Sequence, residues 1–288
     1  MKKATRTTRP RLEDYANLEE IATTYGDTFA AAVAVQATRP LLSSANVKLE
    51  KGDRDRVTIM GASFAPATMG ALPGTGWTAC PLAKRAACAG PCIVTAGQGG
   101  MYKADATPDG FGTRVNDSRI RRTWLLQLAP AFVIDLLAFE IGRQLEKATR
   151  AGRTLAVRLN VFSDIRWEKV APQLFELFPG VTFYDYTKIP GRVTPANYHL
   201  TFSYSGADEA FARWARLELA RGRNVAVAFS RDHGTLPASW GGLPVINGDA
   251  DDYRPADPAG VIVGLLEKRT RGTRSPFIVT PDHAPALA

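Results

Sequence analysis

The sequence predicts an α/β protein built as a complete or partial (β/α) barrel with a mostly parallel sheet. After residue 152, short apolar runs alternate with helical segments or loops, which is the pattern of βα units around a parallel sheet. At least one further strand precedes them. No Gly-x-Gly-x-x-Gly follows the first strand and no Walker motif is present, which disfavours the nucleotide-binding open sheets. A helical N-terminal extension and a cysteine-containing loop complete the predicted architecture.

The N-terminal part is predicted to be helical after a short basic tail. Residues 1–12 carry five basic residues and no apolar anchor, so we predict that they are disordered. Residues 13–54 form the predicted helical extension, with one or two helices broken near Gly26 and stopped at Pro40.

Residues 55–288 are predicted to form one barrel-like domain. It begins with a strand at 55–64, continues through a cysteine loop at 77–100, and then has two helices that meet near Pro130. Amphipathic helices are predicted at 167–179 and 207–222, and strands at 154–162, 181–187, 197–205, 224–230, 243–248, 260–267 and 276–280.

The composition is that of a globular protein with a basic surface. No run of about eighteen apolar residues is present, and no apolar segment follows the basic N-terminus, so we expect neither a membrane span nor a secretory signal. The expected location is the cytoplasm. The net charge of +8 fits a nucleic-acid or phosphate-bearing partner, although a basic protein without such a partner has the same charge.

Polar side chains cluster where the predicted strands end. The ends carry Ser163, Asp164, Glu168, Lys188, Ser203, Ser205, Asp249 and Asp252, and the strands themselves contain Arg158, Asn160, Asp185 and His199. Functional groups gather at strand ends in barrels and open sheets. Four successive polar strand ends therefore predict one polar site at the mouth of the barrel. The candidate catalytic residues are Asp164, Lys188 and Asp249. The candidate cofactor-binding residues are Arg158, Asn160, Ser163, Ser203 and Ser205. The alternative is that Asp164 and Asp249 cap the helices that follow them.

All the cysteines of the chain lie in one short loop. Cys80, Cys88 and Cys92 are spaced C-x7-C-x3-C, unlike the paired knuckles of structural zinc sites. Three thiolates without a local fourth ligand leave one metal position open, which suits a 4Fe-4S cluster. Zinc held by the three cysteines and His199, His233 or His283 is the competing interpretation, and unligated cysteines are the third.

Several long motifs resemble one phage family. The stretches "TACPLAKRAACAGPCIVTAGQGG", "VRLNVFSDIRWE", "FYDYTK", "NYHLTFSYS", "NVAVAF" and "PVINGDADDYRP" are similar to the phage gene-product-88 family, whose members are mostly without assigned function. The resemblance runs from about Trp77 to Val279.

A second, more distant resemblance is to phage proteins similar to radical S-adenosylmethionine enzymes. Those have a cysteine loop, a strand ending Asn-Ser-Met-Ser-Asp, and Leu-Thr-Lys-Arg, in the order found here for Cys88–Cys92, Asn160–Asp164 and Tyr186–Lys188. Their usual cysteine spacing is C-x3-C-x2-C. The resemblance implies a cluster on the three cysteines and bound S-adenosylmethionine near Arg158, Asn160 and Asp164, with Lys188 and Ser203 facing cofactor or substrate and Asp249 with Asp252 holding substrate.

Two other function classes stay open from sequence. One is a nucleic-acid-binding replication or regulatory protein with a structural zinc site, which the basic charge favours. The other is a metal-free hydrolase or transferase that uses Asp164, Glu168 and Lys188 as acid–base groups.

Overall fold

The computed structural model describes residues 8–44, 56–94, 114–268 and 275–288. The helices are α1 Leu18–Tyr25, α2 Asp27–Ala37, α3 Arg114–Leu128, α4 Pro130–Arg150, α5 Trp167–Val170, α6 Pro172–Leu177 and α7 Ala210–Ala220. The strands are β1 Leu42–Ser43, β2 Val57–Ala62, β3 Thr154–Arg158, β4 Thr182–Thr187, β5 Tyr198–Ser203, β6 Val225–Phe229, β7 Ser239–Trp240, β8 Leu243–Asn247 and β9 Ile262–Leu266. Short 3-10 turns occur at Leu12–Asp14, Arg231–His233 and Arg254–Ala256.

The nine strands of the described residues form one mostly parallel sheet. Its order is β1-β2-β3-β4-β5-β6-β9-β8-β7, and every neighbouring pair from β2 to β8 is parallel. The two short edge strands, β1 and β7, are antiparallel to their neighbours. The prediction of an α/β protein with a mostly parallel sheet is confirmed, whereas β1 and β7 lie at opposite edges and the described strands show no closure into a complete barrel.

Local sequence explains where the N-terminal and central helices break. Asn17 caps α1 by accepting a hydrogen bond of 3.0 Å from the N–H of Glu19. Gly26 then separates α1 from α2 with φ of +94°, a conformation that glycine adopts without a steric penalty. Pro130 is the first residue of α4, where its missing N–H leaves no helical hydrogen bond unmade.

The main core lies between the helices and one face of the sheet. Helix α4 contributes Phe132, Val133, Leu136 and Leu137, all fully buried, and they pack with Val157 of β3. On the opposite face of the sheet, Ile59, Ala156 and Tyr184 form a small separate cluster, one residue from each of β2, β3 and β4.

The N-terminal segment is part of this core and of the sheet. Leu12 is 4% exposed and the Arg9 guanidinium donates to the carbonyl of Ala37 at 3.0 Å. Disorder was predicted for residues 1–12, but residues 8–12 are ordered in the structure. Residues 1–7 lie outside the described part. Strand β1, which sequence reasoning did not predict, joins the segment predicted as a helical extension to the sheet.

Two further predicted elements differ from the structure. The strand predicted at 276–280 is reduced to one bridge, between Val279 and Phe229, within a turn-rich segment. The helix predicted at 167–179 is two short helices, because the chain leaves helical geometry at Ala171, the residue before Pro172, where proline disfavours the α conformation.

No single helix among the described residues is long and apolar enough to cross a bilayer. The consecutive helices α3 and α4 reach that length and apolarity only as a pair, bent by 118° at their junction.

Candidate functional site

A cavity of about 600 Å³ opens at the carboxyl ends of the parallel strands. Its volume lies within the range of small-molecule and cofactor sites, about 300–1,000 Å³. Much of its wall is apolar, from residues such as Met69, Leu82, Ile120, Phe162 and Phe277. The polar and cysteine side chains in its lining are Thr68, Cys80, Cys88, Cys92, Arg158, Asn160, Ser163, Asp164, Tyr186, Thr187, Lys188, Ser203, Asp249, Glu267 and Lys268.

Asn160 organises the turn that follows β3. Its Oδ1 accepts hydrogen bonds from Ser163 Oγ at 2.8 Å and from the Ile165 N–H at 2.9 Å. Its Nδ2 donates to the Ile165 carbonyl at 2.9 Å and to Asp185 at 3.2 Å. Since both ends of the amide are used within the protein, Asn160 shapes the cavity wall by holding Ser163 and Asp164 in place.

The carboxylate of Asp185 anchors this turn from the neighbouring strand. It accepts from the Asn160 N–H at 2.8 Å and from the Tyr198 hydroxyl at 2.8 Å, and it is 1% exposed. Burial raises the pKa of Asp185 to about 7, an effect that the Arg158 charge opposes.

Asp164 is held by three donors. Its Oδ1 accepts from the Thr187 hydroxyl at 2.7 Å and lies 3.3 Å from Arg192 Nη1, and its Oδ2 accepts from the Lys188 N–H at 2.8 Å. Burial raises the pKa of Asp164, and the Arg192 charge partly offsets that effect. Asp164 does not cap a helix, because α5 has no side-chain cap.

Arg192 is a buried cation that sequence reasoning missed. It is 1% exposed, and its Nη2 and Nε contact the two carboxylate oxygens of Glu168 at 2.6 and 3.2 Å. Glu168 is therefore committed to a bidentate ion pair and does not line the cavity. The metal-free acid–base alternative loses one of its three proposed groups.

Lys188 follows β4 directly and reaches across to the end of β5. Its Nζ donates to Ser203 Oγ at 2.9 Å and lies 4.5 Å from the centre of the Phe277 ring. Its Nζ forms no ion pair with a described carboxylate, and its charge is one of the smaller influences that oppose the raised pKa of Asp164. The ammonium is thus held by a hydroxyl and an aromatic face.

Asp249 approaches the cavity from the loop after β8. It accepts from the Leu266 N–H at 2.8 Å and pairs with Lys268 Nζ at 2.6 Å. These partners belong to the end of β9, so Asp249 does not cap a helix either.

Arg158 lies deeper, at the last position of β3, and is 3% exposed. Its Nη1 pairs with Asp252 at 2.5 Å, and its guanidinium lies 4.9 Å from the centre of the Tyr186 ring. Asp252, which was expected to hold substrate, is 6% exposed and does not line the cavity. Asp252 instead balances the charge of the buried Arg158.

The cysteine loop crosses the top of the sheet and is fixed at both sides. The Ala79 carbonyl accepts from the Asp164 N–H at 2.8 Å. On the other side, Ser205 Oγ donates to the Ala86 carbonyl at 2.8 Å and Ser275 Oγ to the Ala87 carbonyl at 2.5 Å. Ser205, predicted to bind a cofactor, is fully buried and outside the cavity lining, so it positions the loop.

The three thiols share one cavity but not one coordination geometry. Cys80 Sγ accepts from the Ala67 N–H at 3.3 Å. Burial raises the pKa of Cys80 to about 12, with smaller contributions from the negative charges of Asp164, Cys92 and Cys88. Within the described residues, no three His, Cys, Asp or Glu side chains are grouped so that they could hold a metal ion. The three thiols therefore line one cavity without forming a metal-binding group in the described arrangement.

The histidines give little support to the zinc interpretation. His199 is exposed near the start of β5, and His283 is exposed and contacts Thr280 at 2.9 Å. Neither lines the cavity. The side chain of His233 lies outside the described part.

The structure therefore brings ten of the eleven predicted site residues together in one cavity lining. In the cavity lining are Cys80, Cys88, Cys92, Arg158, Asn160, Ser163, Asp164, Lys188, Ser203 and Asp249, with Ser205 outside it. Sequence reasoning missed the contributions of Arg192, Tyr186, Phe277 and Lys268. Tyr186 had a usable signal, because it alternates with Tyr184 on one face of β4, whereas Arg192 and Phe277 reach the site only through tertiary contacts.

These features define an α/β protein with a cysteine-lined cavity at the carboxyl ends of a mostly parallel sheet. The family model described as "Gene product 88" matches residues 40–281, which include every described strand of the sheet and all the cavity lining. The chain belongs to the Gene product 88 family, as its motifs predicted. No curated protein and no solved structure matched the chain.

Proposed function

We propose that the protein is a metal-dependent enzyme of phages or mobile elements, of the iron–sulfur, radical-SAM-like kind. The observation that carries this proposal is that the chain's three cysteines line the same cavity as Arg158, Lys188 and Asp249. Cysteine side chains that line a ligand-sized cavity beside polar strand ends favour a reactive site over a structural metal site.

The order of the strands supports the proposal. Strands β2, β3, β4, β5, β6 and β9 are parallel neighbours in chain order, as in one arc of a partial (β/α) barrel. The cysteine loop follows the first of them. This is the place that the resemblance to radical S-adenosylmethionine enzymes implies for the cluster.

The cluster and its cofactor would have defined roles. Cys80, Cys88 and Cys92 would hold a 4Fe-4S cluster with one open iron position, which would supply an electron to bound S-adenosylmethionine. The Ala67 N–H that now donates to Cys80 Sγ would tune the sulfur by hydrogen bonding.

The remaining residues would bind and orient the ligands. Lys188 and Ser203 present an ammonium and a hydroxyl to the cavity, and Asp249 presents a carboxylate whose charge Lys268 balances. Asp164 would act as a positioning residue, since its oxygens hold Thr187 and the Lys188 backbone. The net charge of +8 favours a nucleotide or nucleic-acid-related substrate.

Metal analysis after anaerobic purification and reconstitution tests the proposal. We expect about four irons with sulfide per chain and a broad visible absorbance. Replacement of Cys80, Cys88 or Cys92 with Ala should abolish both. Lys84→Ala, an exposed change in the same loop, is the matched control and should keep them.

Two results would contradict the proposal. A protein that binds only zinc would favour the nucleic-acid-binding alternative, which a salt series of DNA or RNA binding would then examine. A protein that binds no metal, and whose cysteine variants behave as wild type, would favour the metal-free enzyme.

A further inference from the structure

Charged side chains in the cavity lining divide into paired and unpaired groups. Asp164 lies 3.3 Å from Arg192, and Asp249 lies 2.6 Å from Lys268. In each of these pairs, the charge of the carboxylate is balanced by the neighbouring cation. Lys188 is different, since its described partners are the Ser203 hydroxyl and the Phe277 ring.

Ser203 has hydrogen-bonding capacity left over. Its Oγ accepts a hydrogen bond from Lys188 Nζ at 2.9 Å, and the described residues offer no acceptor to its own O–H. A hydroxyl both donates and accepts. The O–H of Ser203 is thus available to an acceptor that enters the cavity beside Lys188.

Arg158, on the strand adjacent to β4, has one donor atom without a described hydrogen-bond partner. Its Nη1 is taken by Asp252, but Nε is 4.0 Å from Asp185 Oδ1, beyond hydrogen-bonding distance. No described acceptor bonds that Nε. A guanidinium that is 3% exposed and has one unfilled donor carries a desolvation cost that an acceptor bound beside it would offset.

These donors lie on one side of the cavity. They come from the neighbouring strand ends of β3, β4 and β5. Glu267, the lining carboxylate without a described ion-pair partner, follows β9 three strands from β4, about 14 Å away at ordinary strand spacing.

We propose that Lys188, Ser203 and Arg158 form an oxyanion subsite that binds the carboxylate or phosphate of the substrate. The proposal deepens the proposed function and rests on it only in taking the cavity as the ligand site. The apolar walls around Phe162 and Phe277 strengthen the attraction, because charges interact more strongly away from water.

Calorimetric titration of the full chain with inorganic phosphate and, separately, with malonate tests the subsite. The wild type should bind at least one of these anions saturably, and the stronger one identifies the oxyanion class. Lys188→Gln should weaken binding about tenfold or more, and Lys188→Arg should restore much of it. Ser203→Ala should weaken binding by a smaller factor. Lys169→Gln, which removes the same charge at an exposed position, should leave the affinity unchanged.

Removal of Arg158 alone leaves Asp252 buried without its partner, so the Arg158→Gln change is made together with Asp252→Asn. This double variant should also weaken anion binding while thermal unfolding confirms that it is folded. The inference is overturned if wild type binds neither anion, or if Lys188→Gln and Lys169→Gln lose affinity equally. Both anions are titrated with and without reconstituted iron. A protein that takes up no iron but binds an anion contradicts the cluster proposal and leaves the subsite supported.

Discussion

The Ser205 hydroxyl donates a 2.8 Å hydrogen bond to the carbonyl of Ala86, and so joins the end of β5 to the cysteine loop. The same Oγ accepts from the Ala207 N–H at 3.1 Å. Ser205 has a hydroxyl that could bind a ligand, but it lies outside the cavity and instead fixes the backbone between Cys80 and Cys88.

Ser205→Ala should destabilise the protein by about 1–2 kcal/mol, because the Ala86 carbonyl loses its donor in a buried position. Thr38→Ala removes a hydroxyl-to-carbonyl bond at the exposed end of α2 and should cost much less. Urea unfolding measures both. If the two variants lose equal stability, the Ser205 anchor is not important. Iron uptake by Ser205→Ala should also fall if the loop position matters for the cluster.

Replacement of Arg192 should be among the most damaging single changes. Arg192→Met leaves Asp164 and Glu168 buried without their common cation, a loss of about 3–5 kcal/mol. Arg166 contacts the same Glu168 at 3.5 Å, but its side chain is 47% exposed, so Arg166→Met should cost less than about 1 kcal/mol. Chemical denaturation of the two variants compares them directly, and similar losses would show that burial does not set the strength of these pairs.

Stability should fall as pH rises from about 4 to 7, through the ionisation of Asp185. Burial raises the folded-state pKa of this group to about 7, above its unfolded value, so the folded state holds a proton that the unfolded chain has lost. The contribution has a slope on the order of 1.4 kcal/mol per pH unit. Burial also raises the pKa values of Asp164 and of Glu140, a buried residue of α4 that accepts from the Leu42 N–H at 2.8 Å. Both act in the same direction.

Asp185→Asn isolates this contribution. Asn keeps an acceptor for the Asn160 N–H but does not ionise, so the variant should show a flatter stability profile between about pH 4 and 7, the window set by the unfolded-state and folded-state pKa values. Urea unfolding at several pH values gives the profile. Parallel curves for wild type and variant would contradict the raised pKa.

Backbone strain beside Cys88 gives a prediction with an internal control. Ala87 has φ of +49°, a left-handed conformation that costs a non-glycine residue about 1–2 kcal/mol. Ala87→Gly should therefore leave stability unchanged or raise it slightly, after the greater entropy of the unfolded glycine is included. The neighbouring Ala86 is fully buried, and Ala86→Gly should lower stability by about 1 kcal/mol. Thermal unfolding that shows equal losses for both would contradict the strained geometry.

The elements that could be predicted from the sequence are those set by interactions between residues close together in the chain. The helix break at Gly26, the start of α4 at Pro130 and the strand runs around 154, 182, 198 and 225 follow from local chemistry, because turn residues and apolar periodicity act within a few residues. The two-residue strands β1 and β7 have no such pattern. They exist because the sheet edges offer them partners.

The sequence by itself determined the sheet class, the family and most members of the site, because parallel strands place their carboxyl ends on one side and the cysteines are local to one loop. Only the tertiary structure decided which polar residues face the cavity. Ser205, Glu168 and Asp252 have the same chemistry as Ser203 and Asp249, yet they are buried against a carbonyl or an arginine. Whether such a residue faces the cavity depends on hydrogen-bond and ion-pair partners that are distant in sequence. Local periodicity does not predict those partners.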